Sequence, residues 1–329
     1  MQATLHTTKQ KLITRRLALA LLAASTLAVF GCRSTNAQNA STEKTDKTFR
    51  FYTVGNSVSD TLNYNAFPKL LEARGYKPIF GRQMIPGAPL EWLWTHPNDG
   101  FQVEQFGYPT KAFPNYQWDA ISLQPFDRHL ETDTKNISDY IDLALKNPAN
   151  KNTRFFIYAR WPRMSKGGKG VQFDRNNYGK ADPDPSKITD YAQIDPWDKL
   201  WTRPYTGGWD GSEESAAYFE KLTRTLREKR PAVQISMIPV GHVMAALNTK
   251  MEKGEVPGFK SIWDVYNDGI HLNPVGGYIV GATFFTAFTK ENPAGLPSDP
   301  YGKIEPTVAK IIQETVWDVV SKHELAGMK

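Results

Sequence analysis

The chain has 329 residues, 40% hydrophobic and 22% charged, an ordinary globular composition with ample material for a sizeable core. Its net charge of +6 does not support a nucleic-acid partner, because Lys9, Lys11, Arg15 and Arg16 crowd the first residues and the first acid is Glu43. The single cysteine excludes intrachain disulfides and thiolate metal sites.

In chain order, the basic residues precede an apolar stretch, 17–30, too short to span a bilayer. This pattern predicts an export signal over 1–32. Two processing readings are open. Val29-Phe30-Gly31-Cys32 resembles a bacterial lipobox, which would attach a lipid to Cys32 and anchor a periplasmic protein to the membrane. Cleavage after Ala37 would instead give a secreted soluble protein. The lipoprotein reading is preferred, since the only cysteine falls at this position. Thr14-Arg15-Arg16 is a weaker likeness to a twin-arginine signal. Residues 33–47 lack large apolar side chains and read as a flexible tether. A single domain is expected over 48–329.

The stretch 48–59, TFRFYTVGNSVS, predicts a buried strand that ends at Gly55-Asn56-Ser57. A helical segment with Leu62, Ala66, Phe67, Leu70 and Leu71 follows. A second strand is expected over 76–85, broken by Pro86-Gly87-Ala88-Pro89, with a short helix over 90–94. Residues 96–116 read as loop. Further strands are expected over 119–123, 153–161 and 233–240, and helices over 137–145, 212–230, 242–253, 277–288 and 308–321. Strands alternating with helices predict an α/β fold: a doubly wound, mostly parallel five-stranded sheet flanked by helices. Residues 163–211 form a long Gly/Pro-rich insertion carrying Phe173, Tyr178, Tyr191, Trp197, Trp201, Tyr205 and Trp209. With Arg160 and Trp161 at the end of the fourth strand, these aromatics are expected to wall a substrate groove at the carboxyl ends of the strands.

Two strings carry chemistry. Ser57 follows the first strand, and Asp268-Gly269-Ile270-His271-Leu272-Asn273 precedes a late helix. A serine hydroxyl attacks only when a base takes its proton. Histidine does this near neutral pH, and a carboxylate on its other nitrogen fixes the tautomer. Asp and His three apart can share one loop. Asn56 reads as a turn stabiliser. His96, His129, His242 and His323 show no ligand spacing, so neither metal nor cofactor is expected.

These strings resemble the SGNH/GDSL hydrolase superfamily. Gly55-Asn56-Ser57 resembles its first block in the GNS form, and Asp268 to Asn273 with Gly276 resembles its last. Pro86-Gly87-Ala88-Pro89-Leu90 sits where the second-block glycine falls, and residues 118–124 resemble the strand leading to the third block. The resemblance implies a three-layer sandwich and an esterase, often a glycan deacetylase, working through an acyl-enzyme. Ser57 would be nucleophile, His271 base and acid, and Asp268 the residue orienting His271. The Ser57 and Gly87 backbone N–H groups would hold the oxyanion. The family's third donor is an asparagine; Gln124-Pro125-Phe126-Asp127 has none there, and Gln124 is the substitute expected. The implied partner is an acylated small molecule or polysaccharide. The alternative is a non-catalytic glycan-binding protein on the same fold.

Overall fold

A computed structural model describes residues 47–166, 169–170, 195–207 and 215–328. The expected export signal, Cys32 and the tether up to residue 46 lie outside them, as do Phe173, Tyr178, Tyr191 and Trp209 of the insertion.

The sheet is built around β1 (Lys47–Gly55), flanked by β2 (Tyr76–Met84) and β4 (Ala120–Leu123). Its order is β3-β2-β1-β4-β5-β8, with β3 (Phe101–Gln102), β5 (Arg154–Tyr158) and β8 (Ile235–Ile238). All pairs are parallel except β2 with β3. The two-residue strands β6 (Ser165–Lys166) and β7 (Lys169–Gly170) make a separate antiparallel ribbon.

Both faces of β1 are apolar because both are covered, as parallel sheets require. Phe51 packs on one face against Phe67 of α1 (Phe67–Glu72) and Phe288 of α8 (Pro274–Thr289). Tyr52 packs on the other against Trp118 and Phe113 of α3 (Pro109–Asn115). α7 (Val240–Glu252) and α9 (Pro306–Lys322) join the α8 layer. α2 (Leu90–Thr95), α4 (Leu130–Leu145) and α6 (Ala216–Lys229) form the opposite layer, and the short α5 (Trp197–Trp201) packs on α7. Helices on both faces of the sheet give the expected α/β three-layer sandwich.

The sheet has six strands where five are expected. β3 is two residues long and carries no readable period. It lies in the stretch expected to be loop, with α3, whose Pro109 and Pro114 disguise a helix as one. The first helical segment is split: Ser59–Leu62 is a 3-10 turn, and α1 starts at Phe67. Asn63 divides them, in the left-handed region at φ 56°, with its Oδ1 accepting the Asn65 and Ala66 N–H groups. Trp197 and Trp201 of the insertion are core rather than groove wall, and Tyr205 is half-buried against Tyr218. Trp197 and Trp201 are each 2% exposed, and Trp201 packs against Phe219, His242 and bare Gly241.

α8 is buried nearly all round. Tyr301 crosses it at Gly281 and donates to Leu62 O at 2.8 Å. A methyl added at Gly281 would overlap the Tyr301 hydroxyl and lie 2.6 Å from its ring. Gly281→Ala is therefore expected to destabilise the fold by about 1–3 kcal/mol, read from urea denaturation, despite alanine's better helix propensity.

Candidate active site

In the parallel part of the sheet the chain winds outward from β1 in two directions, first to β2 and then to β4, β5 and β8. The gap at the carboxyl ends of β1 and β4 is therefore the switch point where α/β folds place ligands. Ser57 lies there, two residues past β1. Asn56 builds its turn. Asn56 Oδ1 accepts the Val58 N–H at 3.0 Å, Asn56 Nδ2 donates to Ala88 O at 3.1 Å, and Asn56 O accepts the Ser59 hydroxyl at 2.7 Å. Gln124, just past β4, meets Asn56 reciprocally: its Nε2 donates to Asn56 Oδ1 at 3.0 Å and its Oε1 accepts the Asn56 N–H at 3.1 Å. Gly55 admits this approach, since a Cβ there would lie 2.5 Å from Gln124 Oε1.

Residues 268–271 are held with equal firmness. The Asn267 N–H donates to His271 O at 2.7 Å, and the Asn273 N–H to Val265 O at 2.9 Å. Asn273 caps α8 through the Val275 and Gly276 N–H groups and donates to Asp264 O. From the end of β5, the Met164 N–H reaches Gly269 O at 2.9 Å and Trp161 Nε1 reaches Ile270 O at 2.6 Å.

These supports bring Ser57, His271 and Asp268 together. Asp268 Oδ1 accepts the Ile270 and His271 N–H groups at 2.8 and 2.6 Å, and Oδ2 meets His271 Nδ1 at 2.6 Å. His271 Nε2 lies 2.9 Å from Ser57 Oγ. Burial pushes the Asp268 carboxyl up. The hydrogen bonds from the His271 ring and the two backbone N–H groups outweigh it and hold the group below its ordinary value. The carboxylate is thus ionised at neutral pH and keeps the proton on Nδ1. Nε2 is left with a lone pair facing the serine hydroxyl. The His271 and Asp268 side chains are 41% and 37% exposed, so the site is open to a ligand.

Among the described residues the Ser57 and Gly87 N–H groups have no intramolecular acceptor. The turn carrying Gly87 is tied beside Ser57 from both ends, by Ile85 N–H to Gly55 O at 3.3 Å and by Asn56 Nδ2 to Ala88 O. Gly87 has φ 66°, which glycine adopts without strain.

Three expectations are corrected. Gln124 is 1% exposed and faces Asn56, so it braces the serine turn rather than presenting a donor to an oxyanion. Arg160 and Trp161 are 1% and 0% exposed, so neither presents to a substrate. Trp161 instead supports the histidine loop, and Arg160 donates to Trp161 O while lying over Phe126. Asp127, beside them, is buried and paired with Arg163 at 2.7 Å. Sequence reasoning missed the bracing by Trp161 and Gln124 because each works across a sequence distance that no local pattern signals.

Away from this site the fold gathers Glu220, His242 and His323, with ligand-type atoms within 4.8 Å of one another. His323 Nδ1 accepts the Leu325 N–H at 3.2 Å, so the neutral ring carries its proton on Nε2, the nitrogen that faces Glu220. His242 Nε2 faces the same carboxylate oxygen at 3.1 Å. His242 Nε2 is thus within hydrogen-bond reach of the carboxylate, while His323 Nε2 stands 4.0 Å from it.

No family model matches the chain, and no curated protein matches it. Among solved structures it is similar to a DUF4886 family protein from Bacteroides uniformis, at 18% identity and TM-score 0.56, covering 84% of this chain and 96% of that one. That likeness shows a shared fold. Two others are a candidate SGNH hydrolase from Slackia heliotrinireducens and a possible lipase from Chitinophaga pinensis. The first is 14% identical over 72% of this chain and 97% of its own, with TM-score 0.39. The second is 11% identical over 73% and 98%, with TM-score 0.38.

Gln124→Leu keeps the volume but strands Asn56 groups in a buried site, and is expected to cost about 1–3 kcal/mol in urea denaturation. A pH effect follows from His323, whose affinity for a proton is lowered by burial and by His242 from the ordinary 6.5 to about 4. Between those values the unfolded chain binds the extra proton, so stability falls as pH drops through the window. His323→Asn keeps a capping acceptor before Glu324 and is expected to lose less stability than the wild type over the same pH range.

Proposed function

We propose that this chain is a serine hydrolase of SGNH type that cleaves acyl esters, acetyl esters on carbohydrates foremost, through an acyl-enzyme. The observation that carries the reading is the unbroken chain from Ser57 Oγ to His271 Nε2 at 2.9 Å and from His271 Nδ1 to Asp268 Oδ2 at 2.6 Å. His271 takes the Ser57 proton as Oγ bonds to the ester carbonyl carbon. The carbonyl oxygen gains the electron pair and is held by the Ser57 and Gly87 N–H groups. His271 then gives its proton to the leaving oxygen, and the alcohol departs. Water repeats the sequence on the acyl-serine, with His271 as base, and a carboxylic acid leaves with Ser57 restored. Asp268 stays ionised and stabilises the imidazolium. The reading includes export, with the protein held at the membrane by a lipid on Cys32 or released by cleavage after Ala37. Among the described residues no helix is long and apolar enough to cross a membrane.

The rival reading is a glycan-binding protein that does not turn over. In its favour, Phe126 stands where an amide donor is expected, and Gln124 is turned towards Asn56. A fluorophosphonate probe separates the two. The purified wild type is expected to label at Ser57, with Ser57→Ala and His271→Ala unlabelled and their acetyl-ester turnover down about 10⁴-fold or more. A folded wild type that neither labels nor hydrolyses p-nitrophenyl acetate would sink the hydrolase reading.

A further inference from the structure

A second cavity, of about 430 Å³, lies at the end of the sheet away from Ser57 and falls within the usual range for small-molecule sites. It opens where the parallel strands β5 and β8 begin. Arg154, the first residue of β5, lines it, as do Gln234 to Ser236 at the start of β8. Ser57 follows the other, carboxyl end of β1, and no residue of the serine site lines this cavity.

The lining is cationic. Arg154, Arg227 of α6 and Lys290, which caps α8, all face it, and no carboxylate among the described residues joins them. The acids within electrostatic reach of the two guanidiniums are engaged elsewhere. Asp119 accepts the Arg50 N–H at 2.7 Å, and Glu324 pairs with Arg224. Glu291, next to Lys290, accepts the Tyr76 hydroxyl at 2.6 Å. Arg154 donates to Phe288 O, and Arg227 donates to Ile235 O at 2.7 Å and to Leu325 O at 3.0 Å. Those acceptors are neutral carbonyls, and they leave most of each guanidinium fork unused. Lys290 is exposed, and its ammonium makes no hydrogen bond or ion pair among the described residues. Burial lowers the proton affinity of both guanidiniums from the ordinary value. Tying carbonyls needs donors but no charge, and partly buried charge without a counter-charge is costly.

We infer that this cavity binds a phosphate group carried on a small polar ester. Its cations stand on a strand, a helix and a helix cap, so they reach an occupant from separate elements. That suits a tetrahedral oxyanion, whose oxygens point in several directions, better than a carboxylate, whose oxygens share a plane. The Ser236 hydroxyl and the exposed Gln234 carboxamide also line the cavity and add neutral donors. The volume exceeds a bare phosphate, and Pro231 and Val233 offer a surface to the carbon part of the ester. None of this depends on Ser57 being a nucleophile. A soluble phosphate ester and a phospholipid headgroup share the chemistry.

The test titrates the purified protein with glycerol phosphate by calorimetry, at constant ionic strength in sodium chloride. It uses the wild type, the double variant Arg154→Gln with Lys290→Asn, and Lys290→Glu alone. Glutamine at 154 keeps a donor for Phe288 O, and asparagine tolerates the left-handed backbone at 290, where φ is 62°. The single variant changes only an exposed side chain, and urea denaturation checks that each protein is folded. The wild type is expected to bind glycerol phosphate, with affinity down about tenfold in Lys290→Glu and further in the double variant. A wild type that does not bind, or equal affinity in the folded variants, overturns the site. Sedimentation with phosphatidylglycerol vesicles then separates the sources. Vesicle binding that the variants lose supports the site with a phospholipid headgroup as its ligand. Glycerol phosphate binding without such vesicle binding supports it with a soluble ester.

Discussion

The reciprocal amide pair between Asn56 and Gln124 is the interaction on which the site's geometry depends. It closes the space between the ends of β1 and β4, where two parallel strands leave backbone groups with no further ladder partner. Asn56 is fully buried, and it uses its side-chain oxygen, side-chain nitrogen, backbone N–H and backbone carbonyl at once. Each bond ties the serine turn to a different piece of chain: β4, the Gly87 turn, or the 3-10 turn that follows. Buried polar groups are costly when left unmade, so the network has one good arrangement and disfavours others. Ser57 is thereby placed while its hydroxyl is left to meet His271.

The histidine side follows the same logic with other means. Asp268 fixes His271 twice, through the backbone N–H and through the ring, so one carboxylate sets both the loop's shape and the imidazole's tautomer. Trp161 and Met164 then fasten the loop to the end of β5. Ser57 and His271 lie 214 residues apart in the chain, yet each is referred to a strand of the same sheet. On the hydrolase reading proposed above, little reorganisation remains to be done when a substrate arrives, the condition under which fixed dipoles act most strongly on developing charge.

Much of this was legible in the sequence. The apolar runs of β1, β4, β5 and β8 reveal a parallel sheet because strands covered on both faces cannot alternate with polar residues. Asp268 and His271 were readable as a pair because, three residues apart, they can share one loop, and Ser57 joined them through its place after the first strand and the resemblance of both strings to one family. What escaped was short or non-local. β3 has two residues, and α3 begins with proline and contains another. The Trp161 indole looked like part of a groove wall until its partner, a carbonyl more than a hundred residues away, placed it in the interior. Gln124 looked like a donor for substrate because nothing near it in sequence shows that Asn56 already occupies it. The insertion's tryptophans read as surface because their stretch lacks periodicity, whereas Trp201 is received by a glycine forty residues later.

Tyr301 gives the fold a temporal order. Its hydroxyl closes on Leu62 O, just beyond the serine turn, from a position near the end of the chain, and it does so across the glycines of a helix that itself follows His271. Ser57, His271 and Tyr301 can therefore meet only after the chain through residue 301 has been made. During synthesis, Ser57 is an ordinary hydroxyl at the end of an incomplete sheet. On the hydrolase reading proposed above, such late closure keeps the unfinished chain chemically silent.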